Sequence, residues 1–210
     1  MFWYPNEADL AQKDDRGVTL RQFLAEYDPH KYELPAVTTD IALFQTGDGT
    51  PKLMMVRRGR HPSYGMLALP GGFLEMDEDL EDGAKRELME ETGIQGISLR
   101  QLGAYGTLGR DPRMRIITVA YIAVTDQQIR FQAGDDAEDA DFFTIALEVT
   151  ENTDETNFRL MVRNSKYSAE ALIRQIDQKR QIMRSSIGSD HALIILDAIE
   201  ELGWIDNYRV

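Results

Sequence analysis

The chain contains no cysteine among its 210 residues. Disulfide scaffolds, zinc sites built from thiolates and cysteine nucleophiles are therefore excluded. The lack of cysteine fits a reducing compartment, and we expect a cytoplasmic protein. No apolar run approaches the roughly 20 residues that cross a bilayer, so we expect no membrane partner. The acidic start MFWYPNEADLAQKDD does not have the basic-then-apolar order of a secretory signal.

Basic residues are also scarce. The 23 Lys and Arg residues face 36 Asp and Glu residues, which gives a formal net charge of −13. A surface that binds nucleic acid needs a basic footprint, so we expect no nucleic-acid partner. For the same reason, a phosphorylated ligand would need local compensation from a metal ion or clustered arginines.

Apolar runs rich in β-branched residues predict the strands of a sheet, and a helix pattern lies between them. Strands on both sides of a helix indicate an α/β (α+β) sandwich. We predict an N-terminal lead-in with a short helix, a main domain, an insertion with a hairpin and a helix over 169–183, and a terminal helix that packs on the main domain. Their predicted bounds are 1–35, 36–146, 147–188 and 189–210.

The predicted helix over 79–92 carries carboxylates on its apolar side. At about 100° per residue, Glu87 and Glu91 fall within the apolar stripe and Glu90 lies at its edge. Inward-facing carboxylates are costly unless they are paired, and Arg86 alone cannot neutralise three of them. A solvated glutamate face is the alternative, but it would expose the leucines of the same stripe. A divalent cation that prefers oxygen ligands, such as Mg²⁺, Mn²⁺ or Ca²⁺, accounts for both features.

These residues resemble the Nudix hydrolase box, G-x₅-E-x₇-R-E-U-x-E-E-x-G-U, where U is aliphatic. Every specified position is filled at the right spacing, by Gly72, Glu78, Arg86-Glu87-Leu88, Glu90-Glu91 and Gly93-Ile94. A match of this length is far more specific than a lone glycine motif. The stretches TDIALF, RRGRHPSYGMLALPGG and GRDPRMRIITVAY resemble the ADP-ribose pyrophosphatase-like branch, which includes a regulator of NAD metabolism. The resemblance implies a Nudix α/β/α sandwich with a mixed sheet over 36–146.

The resemblance also implies the roles of the box residues. It implies a Mg²⁺ cofactor, for which Mn²⁺ can substitute, and a homodimer. Glu78 and Arg86 are implied to pair and to orient the catalytic loop and helix. The implied metal ligands are Glu87, Glu90, Glu91 and the backbone carbonyl of Gly72.

Substrate binding and the general base are less sharply defined. Arg58 and Arg110 are predicted as bidentate phosphate ligands, with exposed surface arginine as the alternative. The general base is either a box glutamate or an acidic residue of the AGDDAEDAD stretch, where Glu138 is our prediction. A solvated acidic loop would equally account for that stretch. His191 is expected to form a structural hydrogen bond.

The predicted reaction is Mg²⁺-dependent cleavage of the pyrophosphate bond of a nucleoside diphosphate derivative, with ADP-ribose giving AMP and ribose 5-phosphate. Two alternatives stay open. The substrate could be another nucleotide, such as NADH, a dinucleoside polyphosphate or a nucleoside triphosphate. The protein could instead be a non-catalytic regulator of transcription that senses ADP-ribose.

Overall fold

The computed structural model of the protein describes residues 5–47, 49–129 and 140–210. The chain forms two compact units, Met1–Leu34 and Pro35–Val210. The described helices are α1 (Glu7–Ala11), α2 (Leu20–Glu26), α3 (Leu80–Thr92), α4 (His191–Glu201) and α5 (Ile205–Tyr208). The described strands are β1 (Ala36–Gln45), β2 (Lys52–Arg57), β3 (Leu67–Ala68), β4 (Gly71–Phe73), β5 (Arg100–Tyr105), β6 (Ile116–Thr125), β7 (Ala140–Glu151), β8 (Thr156–Arg163), β9 (Ser168–Ile176) and β10 (Lys179–Ser185). None of these helices is long and apolar enough to cross a membrane.

The first unit holds two short helices that each begin at a capping box. The Asn6 side chain accepts from the Asp9 backbone N–H, and the Asp9 carboxylate accepts in return from the Asn6 N–H. Thr19 and Gln22 exchange the same pair of hydrogen bonds at the start of α2. Each box satisfies backbone donors that have no partner within the helix. α2 is the short helix predicted for this part of the chain.

Among the described residues, a 10-stranded mixed sheet has the order β10-β9-β8-β7-β2-β1-β6-β5, with β3 paired to β2 and β4 paired to β1. β1 and β6 run parallel, whereas the other paired strands are antiparallel. β1 lies inside the sheet, and residues 38–44 of its run AVTTDIALFQ are buried on both faces. The mixed sheet with its few helices confirms the predicted α+β fold class.

Alternate residues of β1 face two separate hydrophobic cores. Ile41 and Leu43 belong to the core that contains Ala84 and Leu88 of α3. Ala42 and Phe44 belong to the larger core on the other face, with the buried side chains of α4. This follows from the two-residue period of a strand, which sends successive side chains to opposite faces. β1 therefore connects α3 with the terminal helix.

The chain after β7 departs in part from its prediction. β7 and β8 form the expected hairpin around Asp154-Glu155. Residues 169–183, predicted as a helix, are instead strands β9 and β10. Ala169, Ala171 and Ile173 are buried while the residues between them are less so, which is a period of two. Pairing with β8 and burial against the larger core override the weak helical periodicity of this segment.

α3 begins one residue after the predicted start and ends at the predicted Thr92. Gly93 follows it with a φ of 72°, a left-handed conformation that favours glycine after a helix. Asp79 is the N-cap residue, but its side chain makes no capping hydrogen bond. The start is marked by the backbone alone, because the Asp79 carbonyl accepts from the Gly83 N–H at 2.9 Å.

Candidate active site

A cavity of about 500 Å³ opens where β1, β4 and α3 meet the segment that precedes α4. Its polar lining carries both signs of charge, with arginines from several parts of the chain and carboxylates from β1 and α3. The charged lining residues are Asp40, Arg58, Glu75, Arg86, Glu87, Glu91, Arg110, Asp111 and Arg113. The cavity therefore contains most, but not all, of the residues that the sequence predicts for the site.

Two glycines bring the backbone into close contact with the carboxylates of this cavity. The Gly71 N–H donates to Glu91 Oε2 at 3.0 Å. A Cβ atom at Gly71 would overlap the Thr39 carbonyl oxygen, and its φ of 154° is itself unfavourable for other residues. A Cβ atom at Gly72 would overlap the Glu87 carboxylate. Gly71 thus requires glycine, whereas a side chain at Gly72 would displace the Glu87 carboxylate.

Glu78 and Arg86 form the ion pair that the resemblance implies. Arg86 Nε donates to Glu78 Oε2 at 3.0 Å, and Arg86 Nη2 donates to Glu78 Oε1 at 2.7 Å. These hydrogen bonds lower the pKa of Glu78 to about 2. Arg86 Nη2 also donates to the Phe73 carbonyl oxygen at 3.0 Å. The pair therefore ties α3 to the strand that contains the glycines, which is an orienting function.

Glu87 and Glu91 are the box carboxylates that reach the cavity. Burial raises the pKa of Glu91 to about 7, and the charges of Glu87 and Asp40 add to this rise, against the Gly71 hydrogen bond and the charge of Arg58. Carboxylates so crowded and poorly solvated favour a bound cation, and their hard oxygen donors suit Mg²⁺ or Mn²⁺. The residues present therefore fit a divalent metal.

Glu90 does not join the other two glutamates. Its side chain is 58% exposed and lies within 3.3 Å of Arg86 Nη1. Arg86 Nη1 also donates to Glu87 Oε1 at 2.7 Å, so one guanidinium contacts both carboxylates. Across the part of the chain that the structure describes, no group of at least three His, Asp or Glu side chains is arranged to hold a metal ion. The predicted set of three glutamates is thus not assembled in this conformation.

The two predicted substrate arginines lie in different environments. Arg58 is partly buried, and its Nε donates to the Pro62 carbonyl oxygen at 2.9 Å. Arg110 is almost fully buried, and it donates to both oxygens of Asp190, at 2.9 Å from Nε and 2.6 Å from Nη2. Both arginines line the cavity. A protein carboxylate already binds the guanidinium of Arg110, whereas the Arg58 guanidinium donates from Nε to a backbone carbonyl.

Two buried polar residues that line the cavity, Asp40 and His191, and the adjacent buried Asp190 were not predicted as site residues. Asp40 Oδ1 lies 3.5 Å from His191 Nε2, and Asp40 Oδ2 lies 3.7 Å from Arg110 Nη2. Asp190 precedes His191 at the start of α4. The aspartate within the apolar run TDIALF is the one available sequence signal. His191 Nδ1 accepts from the Leu69 N–H at 2.9 Å, the structural hydrogen bond that was expected.

The predicted general base, Glu138, and its neighbours Asp135 and Asp136 lie outside the described residues.

Comparison with known proteins identifies a family and several relatives of this chain. The NUDIX domain family model matches residues 34–163. The chain is 35% identical over 125 residues to the ADPR responsive transcriptional repressor NtrR of Acinetobacter baylyi, which covers 59% of this chain and 50% of the repressor. It is 35% identical over 129 residues to the ADP-ribose pyrophosphatase of Methanocaldococcus jannaschii, which covers 60% of this chain and 73% of that protein.

A solved structure extends the likeness beyond the box. The NUDIX domain of Shewanella oneidensis NrtR, complexed with ADP ribose, is 26% identical with a TM-score of 0.61, over 88% of this chain and 99% of that domain. The matched family model, the filled box and this likeness lead to one conclusion. The chain belongs to the NUDIX domain family.

Proposed function

We propose that the protein hydrolyses the pyrophosphate bond of ADP-ribose, with Mg²⁺ as cofactor, and releases AMP and ribose 5-phosphate. The observation that carries this proposal is the meeting of Glu87 and Glu91 with the paired glycines in one charged cavity. The volume of about 500 Å³ lies within the range of roughly 300 to 1,000 Å³ that is typical of small-molecule sites. A ligand of nucleotide size therefore suits the cavity.

Glu87, Glu91 and the carbonyl of Gly72 would hold the metal ion. Glu90 is proposed as a further ligand, since its contact with Arg86 is long and exposed to water. When bound, Mg²⁺ would neutralise phosphate charge and lower the pKa of a water nucleophile. Mn²⁺ has the same preference for oxygen donors and should substitute for it.

The arginines supply the positive charge that an acidic protein otherwise lacks. Arg58 lies beside Glu91 closely enough to lower its pKa, so it is well placed to contact a phosphate next to the metal site. Arg113 is held by Asp111 and stacks 5.1 Å from the centre of the exposed Phe73 ring at the cavity. This stack offers a flat surface for a nucleobase or ribose. Arg110, held by Asp190, is proposed to act on substrate only at its remaining Nη1.

Relatives favour ADP-ribose among the nucleotides. One is named an ADP-ribose pyrophosphatase, and a structural neighbour was solved with ADP ribose. NADH, dinucleoside polyphosphates and nucleoside triphosphates remain alternatives. A screen of these compounds with Mg²⁺ and Mn²⁺ should give the highest kcat/KM for ADP-ribose, with AMP detected by chromatography and activity abolished by EDTA. Equal or higher kcat/KM for a nucleoside triphosphate would overturn this assignment of substrate.

A second function is favoured by one observation, the 35% identity to an ADP-ribose-responsive repressor. That alignment spans half of the repressor, and this chain has a net charge of −13, which opposes DNA binding. A gel-shift assay on promoter fragments, with and without ADP-ribose, tests this function. A specific shift that ADP-ribose releases, together with no hydrolysis, would favour the regulator.

The general base, the oligomeric state and the compartment remain proposals. We propose Glu138 as the base, a homodimer as the assembly and the cytoplasm as the location. Glu138→Gln would lower kcat strongly if this residue accepts the proton from water. Sedimentation equilibrium would give the mass of the assembly.

A further inference from the structure

The segment of residues 187–191, which we call the terminal clamp, contacts the chain on both sides of the cavity. The Gly188 N–H donates to the Leu67 carbonyl oxygen at 2.8 Å. The Leu69 N–H donates to His191 Nδ1 at 2.9 Å. The Ser189 hydroxyl donates to the Arg110 carbonyl oxygen at 3.0 Å. A segment more than a hundred residues along the chain thus holds the stretch that leads into the glycines.

The Leu69 N–H needs the partner that His191 supplies. β3 ends at Ala68, so the Leu69 N–H does not donate to a neighbouring strand. The residue is only 2% exposed, so water does not supply an acceptor either. An unpaired buried N–H is destabilising, so loss of the acceptor would favour movement of this backbone. Because a backbone amide always carries its proton, Nδ1 must be the accepting nitrogen. The proton of the neutral ring is therefore on Nε2, which faces Asp40.

The backbone held at Leu69 leads directly to the carboxylates of the cavity. The Pro70 carbonyl oxygen accepts from the Ile41 N–H at 2.9 Å, and Gly71 pairs with Asp40 across β1 and β4. Gly71 then holds Glu91, and Gly72 lies against Glu87. His191 contacts both sides of this arrangement, Leu69 through Nδ1 and Asp40 through Nε2. A shift at Leu69 would therefore be transmitted to Gly71 and Gly72.

We infer that His191 is a positioning residue for hydrolysis, acting through its Nδ1 on the Leu69 amide and hence on the glycines that contact Glu87 and Glu91. The inference rests on the proposed function for its kinetic consequence. It does not require His191 to touch substrate, water or metal. It assigns a role at the active site to the terminal helix, which lies outside the Nudix box.

Two polar variants distinguish the contribution of Nδ1 from that of Nε2. His191→Asn keeps an acceptor near the position of Nδ1 and loses the group that faces Asp40. His191→Gln keeps a donor near the position of Nε2 and loses the acceptor for Leu69. His191→Phe removes both. Glu201→Gln is the matched control, because Glu201 lies at the exposed end of the same helix and pairs only with Arg100 among the described residues.

The experiment measures amide exchange at Leu69 by NMR, Mn²⁺ affinity by electron paramagnetic resonance, and kcat and KM for ADP-ribose. His191→Gln and His191→Phe should exchange the Leu69 amide faster, bind Mn²⁺ more weakly and lose about 10- to 100-fold in kcat, with KM little changed. His191→Asn should keep all three values close to those of the wild type, and Glu201→Gln should match the wild type.

Full activity and slow Leu69 exchange in His191→Phe would overturn the inference. An equal loss in His191→Asn and His191→Phe would also overturn it, because retention of the acceptor would then have no benefit. If His191→Phe fails to fold, the comparison of Asn with Gln still decides the question. If the wild type hydrolyses no nucleotide, the proposed function fails, but Leu69 exchange and Mn²⁺ affinity still test the positioning role.

Discussion

Two arginines that line the cavity, Arg86 and Arg110, each donate to both oxygens of a carboxylate. Arg86 and Glu78 are 8 residues apart, whereas Arg110 and Asp190 are 80 residues apart. The first pair joins α3 to the glycine strand, and the second joins the loop before β6 to the terminal clamp. The spacing of the motif predicts the local pair, whereas no sequence pattern predicts the distant pair. The cavity is therefore bounded by one region encoded locally and one assembled by tertiary contacts.

Removal of Arg110 should cause the largest effect, because it leaves a charge buried without its partner. The side chains of Arg110 and Asp190 are 5% and 11% exposed. Breaking such a pair from one side costs about 3–5 kcal/mol, so Arg110→Met should lower the free energy of unfolding by that order. Urea denaturation followed by circular dichroism measures it. The double variant Arg110→Met with Asp190→Leu should recover part of the lost stability. An unchanged urea midpoint in Arg110→Met would contradict the claim that the distant, buried pair stabilises the fold.

Glu91→Gln tests the catalytic role of the region that the motif encodes. This change removes a charge from the proposed metal site and should lower kcat by at least about 100-fold while the fold persists. Steady-state kinetics with ADP-ribose and Mg²⁺ measure the loss. Glu81→Gln is the control, because Glu81 lies on the same helix, is exposed and pairs with Lys85. Activity that survives both Glu91→Gln and EDTA would show that the metal site is wrongly assigned.

Glu78→Gln should have a smaller effect on activity than Glu91→Gln. It weakens the orientation of Arg86 without removing a proposed ligand, and a loss of about 10-fold in kcat is expected. Its unfolding midpoint should fall less than that of Arg110→Met, since the Glu78–Arg86 pair is less buried. A loss of stability equal to that of Arg110→Met would erase the distinction between the two pairs.

Arg159→Gln should cause the smallest effect. Arg159 contacts Glu170 and Glu148 on the exposed face of the β7–β9 sheet, where water competes for all three charges. No measurable change is expected in the urea midpoint or in kcat. A clear shift in the midpoint would mean that burial does not separate strong ion pairs from weak ones in this protein.

The same contrast explains which parts of the fold the sequence predicts. The bounds of α3, and the pair formed by Glu78 and Arg86, follow from residues close together in the chain, where helical period and motif spacing suffice. β9 and β10 are strands because β8 and the core behind them supply partners, and residues 169–183 alone do not contain that information. Short apolar segments are intrinsically ambiguous between helix and strand.

The site divides in the same way. Glu87, Glu91 and Gly72 are predicted by the box and meet at the cavity. Asp40, Asp190 and His191 are recruited from β1 and the terminal helix, so no spacing rule relates them. Glu90 shows a further limit, since its exposed side chain contacts Arg86 and does not join Glu91 at the cavity.

A crystal of the protein grown with Mn²⁺, with diffraction recorded at the manganese edge, tests the central claim most directly. We predict an anomalous peak bound by Glu87, Glu91 and the Gly72 carbonyl, within about 2.0–2.4 Å of each ligand oxygen. A saturated crystal with no peak at these residues, and with Glu87 still bound to Arg86, would contradict a metal-dependent hydrolytic site in this cavity.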